Sequence, residues 1–214
     1  MIAQPKLNLK TETWIDGSWE DYLKTLESIP DEKGKSYYYH QQYRLEMTPL
    51  GSDHSKDHGI ISYSIYLFST LKEIELNGHD NCTFRKQKFR EAQPDLAFYI
   101  GDNTNSIPWG TSIVNLDQYP APNLVIEIAN FSLADDLGTK RLLYEDLGVE
   151  EYWVVDVKKA KITAFAIEKQ GSYRLNTSQV LPNLDINLME QALRQSRATS
   201  HSQVGAWLLQ QFQA

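Results

Sequence analysis

The alternation of apolar periods along this chain predicts an α/β fold, a mixed β-sheet flanked by helices. Three observations carry the expectation. Asn123–Ala129 (NLVIEIA) and Glu151–Val157 (EYWVVDV) are near-continuous apolar runs of strand length, the pattern of strands covered on both faces. Between them lies a segment at helical spacing that closes on Gly148. Earlier, Ile60, Ser64, Leu67, Leu71 and Ile74 form one helical stripe, widened by Ile61, Ile65 and Phe68.

In chain order, Trp19, Tyr22, Leu23, Leu26 and Ile29 have near-helical spacing and predict a short helix, followed by a turn at Pro30, Asp31 and Gly34. Tyr37–Met47 alternates in part and reads as a strand, broken by Pro49, Gly51 and Ser52. The striped helix starts at Asp53 and runs to Asn77-Gly78. Asn81–Glu91 and Pro94–Ile100 read as strands, and Gly101–Pro122, dense in Gly, Pro, Asn, Ser and Asp, as a long loop. Asp135 or Asp136 caps a helix reaching Leu147. Lys161–Ile167 and Ser172–Asn176 pair around Gly171, and one or two helices follow Pro182 up to Trp207-Leu208-Leu209. The expected organisation is an N-terminal extension over 1–40 packed on a core domain of 41–190, with a C-terminal helix over 191–214.

The 214 residues are 41% hydrophobic, which excludes a disordered or fibrous chain and suffices for one substantial core. A net charge of −7 argues against a surface coated in basic charge for sequence-independent nucleic-acid binding, and leaves room for a local basic groove. The single cysteine, Cys82, excludes an internal disulfide and a cysteine-rich zinc site. Met1–Lys10 lacks the apolar core of a signal peptide, and Gly59–Leu71 is too short to span a bilayer. These features predict a cytoplasmic protein with no membrane association.

Two residues resist a purely structural reading. Glu127 sits inside an apolar strand, where a carboxylate is costly unless paired, protonated or metal-bound; a strand end open to solvent would also accommodate it. Lys140 shares a helical stripe with Leu137, Tyr144 and Leu147, where snorkelling is the commoner fate of a lone lysine. Its helix begins soon after Glu127 and is placed to fold back over that strand's end. Asp95 follows Pro94 at the mouth of the strand DLAFYI. Together an Asp, a Glu and a Lys form the constellation for metal-assisted phosphodiester hydrolysis: two carboxylates for a hard divalent ion, Mg²⁺ or Mn²⁺, and an ammonium to position water and offset charge at phosphorus.

The chain resembles the PD-(D/E)xK nuclease superfamily, in the branch of restriction-endonuclease-like proteins called the Uma-two family. The resemblance rests on Pro94-Asp95-Leu96, then Asn123-Leu124-Val125-Ile126-Glu127-Ile128, then Asp136-Leu137-Gly138-Thr139-Lys140 with Tyr144, and then Gly148 through Asp156. Upstream, Glu46-Met47-Thr48-Pro49 and His58-Gly59 also match, so the similarity runs from about Tyr43 to Leu188. It implies a restriction-endonuclease-like core, with Asp95 as metal-binding aspartate, Glu127 as its paired acid and Glu46 as a further metal-site acid. The superfamily lysine falls two residues after the acid; here that position is Ala129, and Lys140 matches the lysine as moved to the next helix.

Phe84–Arg90 holds four basic residues and no acid. If extended, Lys86, Lys88 and Arg90 share one face leading to Asp95, either as a DNA phosphate grip or as a solvated edge strand. His54 and His58 lie four apart without a third ligand and read as cap and surface histidines, with His58 placed to line the mouth of the site. Tyr144, one turn after Lys140, is either an orienting or a packing residue. The leading expectation is a metal-dependent DNA endonuclease. Its rivals are a catalytically degenerate DNA-binding or protein-interaction module and a hydrolase of a small phosphorylated ligand lidded by 101–122. A homodimer is expected, through the C-terminal Trp207, Leu208, Leu209 and Phe212, because cutting both strands usually takes two sites.

Overall fold

The computed structural model describes residues 10–29, 34–169 and 171–213. Pro30, Asp31 and Met1–Leu9 lie outside the described residues. Two six-stranded sheets carry the fold. In chain order the elements begin with β1 (Trp14–Asp16), α1 (Trp19–Glu27), β2 (Lys35–Tyr39), β3 (Gln42–Glu46) and α2 (Ser52–Leu71). Next come β4 (Leu76–Asp80), β5 (Phe84–Lys86), β6 (Arg90–Ala92), β7 (Leu96–Ile100) and β8 (Val114–Asn115). The second half holds β9 (Leu124–Ala129), α3 (Leu133–Asp136), α4 (Thr139–Leu147), β10 (Glu151–Asp156), β11 (Lys161–Glu168), β12 (Gly171–Leu175), α5 (Ile186–Ser196) and α6 (His201–Gln213). The first sheet runs β1-β3-β2-β6-β5-β8 and the second β12-β11-β10-β9-β7-β4.

At the centre of the second sheet, β9 and β10 run parallel, with Glu127 opposite Val154, and β7 is antiparallel to β9. Both β9 and β10 are buried along their whole length, as their apolar runs predict. Leu124, Ile126 and Ile128, with Trp153 and Val155, face one core shared with Ile60, Ile61 and Phe68 of α2 and with Met189, Val204 and Leu208 of α5 and α6. Val125, Ala129, Tyr152 and Val154 face a second core, closed by Tyr37, Tyr39 and Phe84 of the first sheet and by Leu143 and Tyr144 of α4. Burying one side chain of this size stabilises by about 1.5–3 kcal/mol, so both faces are strongly held.

Several boundaries differ from expectation. Tyr37–Met47 is a hairpin, β2–β3, because His40 and Gln41 both take positive φ, 49° and 59°, without the glycine that usually flags such a turn. That hairpin puts residues 35–39 in the middle of the first sheet. The long helix stops at Leu71, and Asn77-Gly78 lies within β4. At Gly78 an added Cβ would press on the Tyr66 hydroxyl and the Phe98 ring, so a larger residue there makes Tyr66 move. Asn81–Glu91 is likewise a hairpin, with Lys88 at its tip at φ 65°. The segment 101–122 contributes β8, paired in parallel with β5, and is thereby tied to the first sheet. The helix expected over 135–147 breaks at Gly138 into α3 and α4, and ends on Gly148 at φ 85°. Of the apolar residues expected at a dimer face, Leu208 and Phe212 are buried in the chain's own core, and Leu209 stays 38% exposed. No described helix is long and apolar enough to cross a membrane.

Candidate active site

The sheets and α2 enclose a cavity of about 810 Å³ whose wall includes Lys35, Arg44, Glu46, His54, Asp95 and Glu127. Asp95 stands one residue before β7, and Glu127 lies mid-strand on the neighbouring β9; each is 2% exposed. Asp95 Oδ2 accepts the Ile128 N–H at 2.7 Å, which fixes the carboxylate against β9. Its Oδ1 faces Lys35 Nζ at 2.5 Å and His54 Nε2 at 3.2 Å. Glu127 Oε1 accepts from Tyr144 Oη at 2.7 Å and Tyr37 Oη at 3.1 Å, and Oε2 lies 3.7 Å from Lys35 Nζ.

Lys140, at the start of α4, is 1% exposed. Its Nζ lies 2.8 Å from Glu46 Oε1, 2.9 Å from Asp136 Oδ1 and 3.7 Å from Glu127 Oε1, and 4.1 Å from the centre of the Tyr37 ring. Lys140 is therefore no snorkelling lysine; it is walled in behind Glu127 and is not part of the cavity wall. It sits where it holds Glu127, not where it would touch an attacking water. Glu46 faces two cations, Lys140 and Arg44, the latter through Nε at 2.8 Å. Arg44 also reaches Asp135 and Glu12.

These contacts split the two acids. Burial pushes the Asp95 carboxyl up, but Lys35 and His54 outweigh it and hold the group far below the carboxylate range. For Glu127, burial wins: despite Lys140 and Lys35, and aided by Asp95 and Asp136, it is pushed up to about 8. Burial would lower both lysines, but the surrounding carboxylates raise them. The cluster holds four acids, Glu46, Asp95, Glu127 and Asp136, around three fixed cations, Lys35, Lys140 and Arg44, so one acid keeping its proton balances it.

Asp95, Glu127 and Lys140 thus converge as the spacing suggests. Glu46 lines the cavity with its Oε1 held by Arg44 and Lys140, and among the described residues no three acids, histidines or cysteines group as a metal cage. Two expectations change. His58 and Tyr144 do not line the cavity; His58 Nε2 lies 3.3 Å from the Asp95 carbonyl, and Tyr144 holds Glu127 from behind. The basic segment is a hairpin, with Arg85 paired to buried Glu91 and Arg90 to Asp146, which leaves Lys86 and Lys88 as its free charges among the described residues. Sequence reasoning missed Lys35 and placed His54 at the surface, though His54 is 5% exposed and faces Asp95.

The donor set fits a hard divalent ion at one point. One oxygen of Asp95 and one of Glu127 converge on a single ammonium, Lys35 Nζ, so a cation position shared by two carboxylates exists. At the rim, Phe131 and Leu50 are 80% and 59% exposed.

The profile of the Uma2 family, described as "Putative restriction endonuclease", matches residues 19–201. Among solved structures, the chain is similar to a "putative nuclease belonging to DUF820" from Anabaena variabilis ATCC 29413, at a TM-score of 0.59 and 15% identity. That match covers 80% of this chain and 98% of the other, and at this identity it shows a shared fold. No curated protein matches the sequence.

Proposed function

This chain belongs to the Uma2 family of restriction-endonuclease-like proteins, and on that premise we propose that it is a metal-dependent endonuclease hydrolysing DNA phosphodiester bonds. The observation that carries the reading is the convergence of Asp95 and Glu127 on one cation position at the wall of an open cavity. Bound there, Mg²⁺ or Mn²⁺ would polarise the phosphate and lower the pKa of an attacking water.

The chain's own groups supply the rest. Asp95 is already ionised and accepts a cation without first losing a proton. Glu127, aimed by Tyr37 and Tyr144, gives up its proton when a cation arrives. Lys140 balances Glu127, Glu46 and Asp136 from the closed side. In hydrolysis the water oxygen forms a bond to phosphorus and the bridging P–O bond breaks. The water's proton passes to solvent, and the departing oxygen takes one up. The products are a phosphate monoester and a free hydroxyl. The acid-rich wall favours a phosphate that enters together with a cation. Phe131 at the rim offers a nucleobase a stacking surface, and Lys86 and Lys88 offer the backbone two charges.

Nicking of supercoiled plasmid by the purified protein tests this. Cleavage requires Mn²⁺ or Mg²⁺ and disappears in Asp95→Ala and Glu127→Ala; unchanged cleavage in both variants overturns the reading. A second reading, a DNA-binding module without turnover, is favoured by one observation: Lys35 already neutralises the acid pair. It predicts no divalent binding by calorimetry. Double-strand cleavage would call for a homodimer, and sedimentation velocity with and without DNA decides that.

A further inference from the structure

Lys35 precedes the segment from Tyr43 to Leu188 that resembles the family. It opens β2, directly after Gly34 at φ 124°, and pairs across the ladder with Glu46. The oxygen of Asp95 not held by Ile128, and the oxygen of Glu127 not held by the two tyrosines, both face its ammonium, at 2.5 and 3.7 Å. Its side chain is 11% exposed, and it forms part of the cavity wall where Lys140 does not. Of the other basic side chains on that wall, Arg44 is committed to Glu46, Asp135 and Glu12, and the His54 imidazole faces the same Asp95 oxygen at 3.2 Å. A group entering the cavity therefore meets one accessible ammonium, and that ammonium occupies the position suited to a divalent ion.

Two positive charges do not share a site between two carboxylates. An ion taking that position displaces Lys35, whose four-carbon stem is anchored at the end of a strand and reaches no further than the cavity. Resting on the endonuclease reading above, we propose that Lys35 is a tethered cation with two positions. It closes the Asp95–Glu127 pair while the cleft is empty, and turns to a non-bridging phosphate oxygen of the nucleic acid when a divalent ion takes its place. In the second position it is a catalytic residue, offsetting charge that develops on phosphorus.

Mn²⁺ titration calorimetry and plasmid nicking at saturating Mn²⁺, on wild type, Lys35→Met and Lys35→Arg, test this. Lys35→Met, with no ammonium competing, binds Mn²⁺ about tenfold more tightly. It nevertheless nicks about a hundredfold more slowly. Tighter binding with slower cleavage is an outcome that a merely structural lysine does not produce. Lys35→Arg, whose wider fork grips both carboxylates, binds Mn²⁺ several-fold more weakly and decides the matter if Lys35→Met does not fold. Unchanged Mn²⁺ affinity in the variants overturns the inference, as does a wild-type nicking rate in Lys35→Met. A wild type that neither binds Mn²⁺ nor nicks overturns the endonuclease reading and this inference with it. A wild type that does both, beside indistinguishable variants, overturns the inference alone.

Discussion

On one face of β9, Leu124, Ile126 and Ile128 pack into an apolar core with α2, α5 and α6; on the other, Glu127 stands among Lys35, Lys140, Tyr37 and Tyr144. The helical side also contains a buried charge, yet it is a closed pair. Arg197 donates to Asp57 through Nη1 and Nη2, at 2.5 and 2.6 Å, and to the Val157 carbonyl at 3.0 Å. One acid meets one base, and a helix is stapled. The opposite side sets four acids, Glu46, Asp95, Glu127 and Asp136, around Lys35, Lys140 and Arg44, and turns one oxygen of each central carboxylate to Lys35 on the cavity wall. A balanced ion pair is structure; an unbalanced one, open to solvent on one side, is a place for a ligand.

The contrast is sharpest where the two faces are broken separately. Asp95→Ala, on the charged face, is expected to slow cleavage by about 10⁴-fold, equivalent to roughly 5.5 kcal/mol on the barrier, in single-turnover assays with saturating metal. Trp153→Ala, on the apolar face, is expected to cost about 3–5 kcal/mol of stability in urea unfolding while the folded fraction keeps its cleavage rate. Breaking the closed pair with Asp57→Ala should cost about 2 kcal/mol, less than a fully buried pair because the Arg197 side chain is 35% exposed.

Titration separates the faces further. With Glu127 pushed up to about 8, the folded chain keeps a proton that the unfolded chain has released at neutral pH. Stability without metal therefore falls as pH rises from about 4.5, the ordinary glutamate value, to about 8, and Glu127→Gln removes that slope. His79, held below its usual range by burial, acts in the opposite sense, at lower pH. Urea midpoints of both proteins across the window check the sign. The smallest effect belongs to the hairpin tip: Lys88→Ala should leave stability within about 0.5 kcal/mol and lower the salt slope of DNA binding by about one.

Much of this was legible in the sequence because charge stood out against apolar pattern. Glu127 and Lys140 interrupt a buried strand and a helical stripe, and the apolar residues beside them on those faces satisfy neither. Lys35 and His54 carry no such contrast, since a lysine after a glycine turn and a histidine in a helix's first turn are ordinary. A signal for Lys35 did exist. In KSYYY, strand alternation puts Lys35 on the face of Tyr37 and Tyr39, and both tyrosines are core. A strand read from Tyr37 leaves Lys35 outside it, and the hairpin is hidden because His40 and Gln41 turn without the usual glycine. Spacing likewise cannot show that Arg44 and Lys140 both engage Oε1 of Glu46.

The sequence distances within the site bear on how the protein is made. Lys35 meets Asp95 across 60 residues, Tyr37 meets Glu127 across 90, and Trp14 meets Asp135 across 121. Contacts of such span form late in folding, and on a growing chain they wait for residues still inside the ribosome. Lys35, Tyr37 and His54 are made before Asp95 and Glu127, and Lys140 and Tyr144 after them. The arrangement that aims the two acids therefore exists only once the whole segment from Lys35 to Tyr144 has folded.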